Sequence, residues 1–132
     1  MEDFPHPTLD AVLAIHEEVL AADGGSDRIR DKGLLESAIA APQATIFGKP
    51  FFKEDIEIAG AYLFYLCQNH PFADGNKRVA LATCLVFLSE NDLLPSEHLD
   101  LDTWEAFTLD VASSKYDRES ATARLRELMA ES

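Results

Sequence analysis

Residues 54–89 read EDIEIAGAYLFYLCQNHPFADGNKRVALATCLVFLS. Two parts of this stretch, 54–69 and 77–89, are apolar nearly all round. A helix with no polar face has to be covered on every side. The stretch therefore predicts two buried central helices joined by HPFADGN, residues 70–76.

Before this pair, residues 8–22 place Leu9, Val12, Leu13, His16, Val19 and Leu20 on one helical face. Thr8 is an N-cap candidate after Pro7, and Gly24-Gly25 ends the helix. Residues 31–41 read as a short helix closed by Pro42. Residues 43–52, QATIFGKPFF, have three aromatics and no helical period, so an ordered loop or small β-hairpin is expected. In residues 103–114, Trp104, Phe107, Thr108 and Val111 are spaced i, i+3, i+4, i+7. Residues 119–130 carry Leu125, Leu128 and Met129. The expected fold class is all-α, with at most one hairpin.

The chain has 132 residues, enough for one domain, 1–132, with a sizeable core. Its net charge is −13, which argues against direct nucleic-acid or anionic-membrane binding. No apolar signal segment opens it, and the longest apolar runs are about half a bilayer span. A soluble, cytoplasmic protein is expected. Cys67 and Cys84 lie in apolar helical stretches and read as buried free thiols.

The quoted stretch also concentrates chemistry. In HPFADGNKR, His70 ends one buried helix, Gly75 permits a tight loop, and Asn76, Lys77 and Arg78 open the next helix. A helix N-terminus offers unpaired N–H groups and a positive dipole end, a natural phosphate site. Lys77 and Arg78 oppose that dipole, typically by about 0.3–1 kcal/mol each, a conflict that a bound anion removes. Asp74 could hold Mg²⁺ bridging phosphate oxygens. His70 suits a general base or acid. Phe72 anchors the loop. Taken singly, each residue has a plain structural role: C-cap, turn, solvated cations, N-cap. Their coincidence within nine residues favours phosphoryl or nucleotidyl transfer to an outside hydroxyl.

The stretch resembles the core motif of the Fic/Doc family, close to HPFx[D/E]GN[G/K]R. Every position is matched, by His70, Pro71, Phe72, Asp74, Gly75, Asn76, Lys77 and Arg78. GGSDRIRDKGLLESAIAAPQ and NKRVALATCLVFLSEND are also similar to death-on-curing (Doc) proteins. The resemblance implies a Fic/Doc-type helical bundle with a flap hairpin at IFGKPFF, where Ile46, Phe47, Gly48 and Lys49 would hold a target segment. It implies His70 as base towards a Ser, Thr or Tyr hydroxyl, and Asp74 as Mg²⁺ ligand. Gly75, Asn76, Lys77 and Arg78 would form the phosphate nest, with Phe72 structural and ATP as donor.

AMP-transferring members usually have glycine where this chain has Lys77, and a second arginine where it has Leu81. Doc-type members have the lysine and resemble kinases that phosphorylate a threonine of translation elongation factor Tu. The resemblance thus implies a phosphotransferase toxin held by an antitoxin of Phd type. Alternatives are a protein adenylyltransferase and an inactive Fic-fold binding module. Elsewhere, Arg28, Arg30 and Asp31 read as capping a helix. His6, His16 and His98 read as structural or solvent-facing, Lys49 and Lys53 as exposed, and Trp104 as core.

Overall fold

The structure, a computed structural model, describes residues 5–94 and 99–131. His98 lies outside the described residues. The elements run α1 Leu9–Asp23, α2 Lys32–Ala40, a 3₁₀ turn Ala41–Gln43, β1 Thr45–Ile46, β2 Lys49–Pro50, α3 Asp55–Asn69, α4 Asn76–Glu90, α5 Leu101–Ala112 and α6 Arg118–Glu131. The expected all-α class holds, with one small antiparallel hairpin among the described residues.

Local chemistry explains where the helices start. Thr8 caps α1 by accepting from Ala11 N–H, and Gly24 closes it at φ 78°. Asp31 caps α2 by accepting from Leu34 N–H at 2.9 Å. Pro42 does not simply end this helix. It sits inside the 3₁₀ turn that continues it, because proline's fixed φ suits the first residues of a helical turn. At α3, Glu57 Oε1 accepts from Glu54 N–H at 3.1 Å, half of a capping box. The carboxylate of Glu54 also pairs with Arg126 of α6 at 2.9 Å.

Hydrophobic pattern sets the packing. α3 lies at the centre, against α4, α6, α2 and α5, while α1 packs on α4. From α3, Ala59, Ala61, Tyr62 and Leu63 are wholly buried. From α4, Val79, Ala80, Cys84 and Leu88 are too. On α5 the i, i+3, i+4, i+7 stripe Trp104, Phe107, Thr108, Val111 faces inward, and Thr108 returns its hydroxyl to Trp104 C=O at 2.9 Å. Cys67 and Cys84 are buried and free, and burial pushes both thiols up to about 12. No helix among the described residues is long and apolar enough to cross a membrane.

The hairpin pairs Thr45 with Pro50 and Ile46 with Lys49. Its two turn residues, Phe47 and Gly48, both have positive φ, 51° and 76°. That is the tight hairpin turn whose twist matches the strands. Beneath it, Phe52 is buried, and the Arg118 guanidinium lies 4.8 Å above its ring.

Candidate active site

α3 ends at His70 and α4 begins at Asn76, so the site is the turn between the two most buried helices. His70 is the C-cap of α3, in left-handed backbone at φ 49°, ψ 56°. Its imidazole is exposed, and among the described residues nothing hydrogen-bonds it. Gly75 is the N-cap of α4 at φ 86°, a conformation that glycine adopts without strain. No side chain caps this helix, and its first turn holds Lys77 and Arg78 in place of acids. The N–H groups of Asn76, Lys77 and Arg78 therefore open the helix as free donors among the described residues, since Val79 N–H is the first to close on Gly75 C=O.

Between these helix ends the loop is tightly built. Phe72 is fully buried. Asn76 does not act as the N-cap. Its buried side chain faces back into the loop, with Oδ1 accepting from Phe72 N–H at 2.9 Å and Nδ2 donating to Phe72 C=O at 2.8 Å. Only its backbone N–H is left for an anion. His16 of α1 stacks on Phe72 from outside and donates Nε2–H to Asp74 C=O at 2.9 Å.

Asp74 is exposed, and its Oδ2 accepts from Ser26 N–H at 2.8 Å. Gly25 makes this approach possible: a Cβ there would sit 3.0 Å from Asp74 Cβ. The second carboxylate oxygen makes no hydrogen bond among the described residues. No cluster of three metal-ligating side chains occurs among the described residues. One accessible carboxylate beside free N–H donors fits Mg²⁺, which keeps several waters and completes its shell with substrate phosphates. It does not fit a metal caged by protein alone.

Arg78 Nε pairs with Asp23 of α1 at 3.3 Å, both side chains being solvent-accessible. Lys77 is exposed and makes no ion pair among the described residues. A cleft of about 470 Å³ gathers His70, Asp74, Gly75, Asn76, Lys77 and Arg78. Its floor is Cys67, and its far wall is Leu109, Ala112 and Ser113 of α5. That volume lies in the range of small-ligand sites.

The sequence model of the Fic/DOC family matches residues 6–88 of this chain. The chain belongs to the Fic/DOC family. It is 38% identical over 113 residues to the Toxin Doc of Mycolicibacterium smegmatis, covering 83% of this chain and 87% of that protein. It is also 27% identical over 123 residues to the Protein kinase doc of Escherichia phage P1, covering 93% and 94%.

Within this Fic/DOC chain, every residue expected from HPFADGNKR lies on the one turn, and six of them line the cleft. The flap residues Ile46, Phe47, Gly48 and Lys49 form a separate hairpin that contributes nothing to the cleft's lining. Three contributions escaped the sequence reading. His16 supports the loop from α1, and Asp23 holds Arg78. Segment 26–31 straps the loop, with Ala73 N–H donating to Arg28 C=O and Arg30 N–H donating to Pro71 C=O. Arg30 does not cap α2, which Asp31 does; its guanidinium reaches the end of α3 instead. A buried histidine on an otherwise apolar face was the one available signal for His16.

Proposed function

We propose that this chain is a Doc-like toxin of a toxin–antitoxin pair. In this reading it transfers the γ-phosphate of ATP to a Thr or Ser hydroxyl of a translation factor such as elongation factor Tu, and so blocks translation. One observation carries the reading. An exposed imidazole with no hydrogen bond among the described residues, an accessible carboxylate and a helix N-terminus that bears Lys77 and that no described side chain caps meet in one cleft. The names of the two Doc relatives agree with it.

In this scheme the free N–H groups of Asn76, Lys77 and Arg78 receive phosphate oxygens, and the two cations balance their charge. Lys77 fills space beside the nest and selects which end of the triphosphate faces His70. Asp74 would hold Mg²⁺, which supplies charge neutralisation to the phosphates. His70 takes the proton of the target hydroxyl. That oxygen forms a bond to the γ-phosphorus as the bond from the γ-phosphorus to the β-bridging oxygen breaks, and ADP leaves. The chain needs no nucleophile of its own.

The flap would hold the target. Phe47 at its tip is fully exposed, and Ile46 and Phe51 are about half exposed. Such apolar surface gains by being covered, and a short open strand edge can pair with an extended segment.

A Phd-type antitoxin would use a second surface. A groove of about 700 Å³ runs between α1, α4 and α5, with Ile15, Val19, Leu81, Leu85, Val86 and Leu109 as apolar lining. Glu18, Asp23, Asp102 and Glu105 supply acidic groups. This favours an amphipathic antitoxin segment with basic flanks. Lys77, Arg78 and Leu109 line both groove and cleft, so an occupant of one affects the other.

The test uses purified protein, Mg²⁺ and translation factors, with ATP labelled on the γ- or the α-phosphate. Label carried over from γ alone is the expected result. Label from α means AMP transfer, and label from neither leaves a binding module.

A further inference from the structure

The reactive imidazole of the proposed reaction hangs from an unfavourable backbone. His70 sits in the left-handed region, which a residue with a Cβ keeps only where its surroundings hold it there. Two of the last carbonyls of α3, which have no donor within the helix, meet one side chain. Arg30 Nε donates to His70 C=O at 2.7 Å, and Nη2 donates to Asn69 C=O at 2.9 Å.

This arginine is solvent-exposed, but its backbone is tied to the loop that it supports. Its own N–H is bonded to Pro71 C=O at 2.8 Å, and its neighbour Ile29 bridges to Phe72. Asn69 is held from the other side, donating Nδ2–H to Leu34 C=O of α2 at 2.9 Å. The peptide units on either side of the His70 Cα are thus pinned, one through the Asn69 carbonyl and one through His70's own. Those two units set the direction in which the side chain leaves the backbone. A positive charge at a helix C-terminus also suits the dipole.

We propose that Arg30 is a positioning residue for His70. Its planar fork holds the two carbonyls that flank the His70 Cα and so aims the imidazole into the cleft. It lies outside the lining of the cleft and acts through His70. A lysine cannot reproduce this, because one ammonium cannot present two donors in fixed geometry to two carbonyls. The proposal rests on the reading of His70 as the base.

The experiment compares full-length wild type with Arg30→Ala, Arg30→Lys and Arg30→Gln. It records kcat and KM for ATP, melting temperature, and the NMR signals of the His70 ring and amide. A misplaced base costs up to about 100-fold in rate. The expected result is a kcat loss of about 10- to 100-fold in Arg30→Ala and Arg30→Gln, with KM for ATP within about twofold. The His70 signals shift and broaden in both, and Arg30→Lys recovers only part of the rate. An unchanged kcat in folded Arg30→Ala or Arg30→Gln overturns the proposal, and so do unmoved His70 signals. Should wild type transfer neither phosphate nor AMP, the reading of His70 as the base fails, and the NMR comparison still decides whether Arg30 holds that residue.

Discussion

His16 and Phe72 lie stacked, with ring centroids 3.8 Å apart and planes 15° from parallel. They stand on α1 and in the loop between α3 and α4, and the same imidazole bonds Asp74 C=O. The pair thus ties the metal-ligand candidate to the anchor of its own loop. Replacing His16 with Ala removes both a buried ring contact and a hydrogen bond. We expect a loss of about 2–4 kcal/mol in urea denaturation. His16→Leu keeps most of the volume and should recover about half. A loss under about 0.5 kcal/mol for His16→Ala would mean that the loop stands without this support.

Asn76 serves the loop through its side chain. Asn76→Ala leaves Phe72 N–H and C=O both buried and unbonded. Each such group costs about 1–3 kcal/mol, so this change should rank among the most damaging single substitutions in the motif. Hydrogen exchange at the Phe72 amide is the direct readout, and protection equal to wild type would refute the assignment.

His70 contributes little to stability, since its ring is exposed and unbonded among the described residues. His70→Ala should abolish phosphate transfer while the melting temperature stays within about 2 °C of wild type, as for other surface substitutions. Transfer that survives in the folded variant would remove His70 from the role of base.

Asp23 pairs with Arg78, and in the proposed reaction it would compete with phosphate for that cation. The pair is exposed and worth at most about 1 kcal/mol, so Asp23→Asn should tighten ATP binding by about two- to fivefold. Screening predicts that this gain shrinks at high salt, where exposed charges act over only about 3 Å at 1 M. Titration calorimetry at two ionic strengths reads both effects. Weaker binding in Asp23→Asn would show that the aspartate orients Arg78 for the nucleotide.

His6 gives the fold a pH dependence. Tyr62 O–H and His6 Nδ1 lie 2.7 Å apart, and partial burial lowers the imidazole below its usual value. A folded pKa below the unfolded one means that the unfolded chain binds the extra proton first. The contribution is therefore fully present above the unfolded value of about 6.5 and is lost as pH falls from there through the folded pKa. Denaturation midpoints should fall on going from pH 7 to pH 5 in wild type. The fall should be smaller in His6→Gln, and an equal fall in both would place the titration elsewhere.

Much of this protein is local in origin. Helical periodicity alone placed α1, α5 and α6, because burial on one face repeats with the turn of the helix. The apolar runs on either side of HPFADGN announced the central pair α3 and α4. Residues 70–78 are contiguous, running from the end of α3 into the first turn of α4, so the imidazole, the carboxylate and the N–H groups that open α4 were legible as a group. What the sequence could not declare is what holds them. Arg30 finds the end of α3 across 39 and 40 residues, His16 finds Asp74 across 58, and Ser26 N–H finds the same aspartate across 48. Leu109, Ala112 and Ser113 close the cleft from α5, an amphipathic helix whose apolar stripe gave no hint of a second duty. Local spacing reveals which residues share a helix face or a turn. Contacts between distant segments exist only once hydrophobic burial has packed α1, α2 and α5 around the central pair.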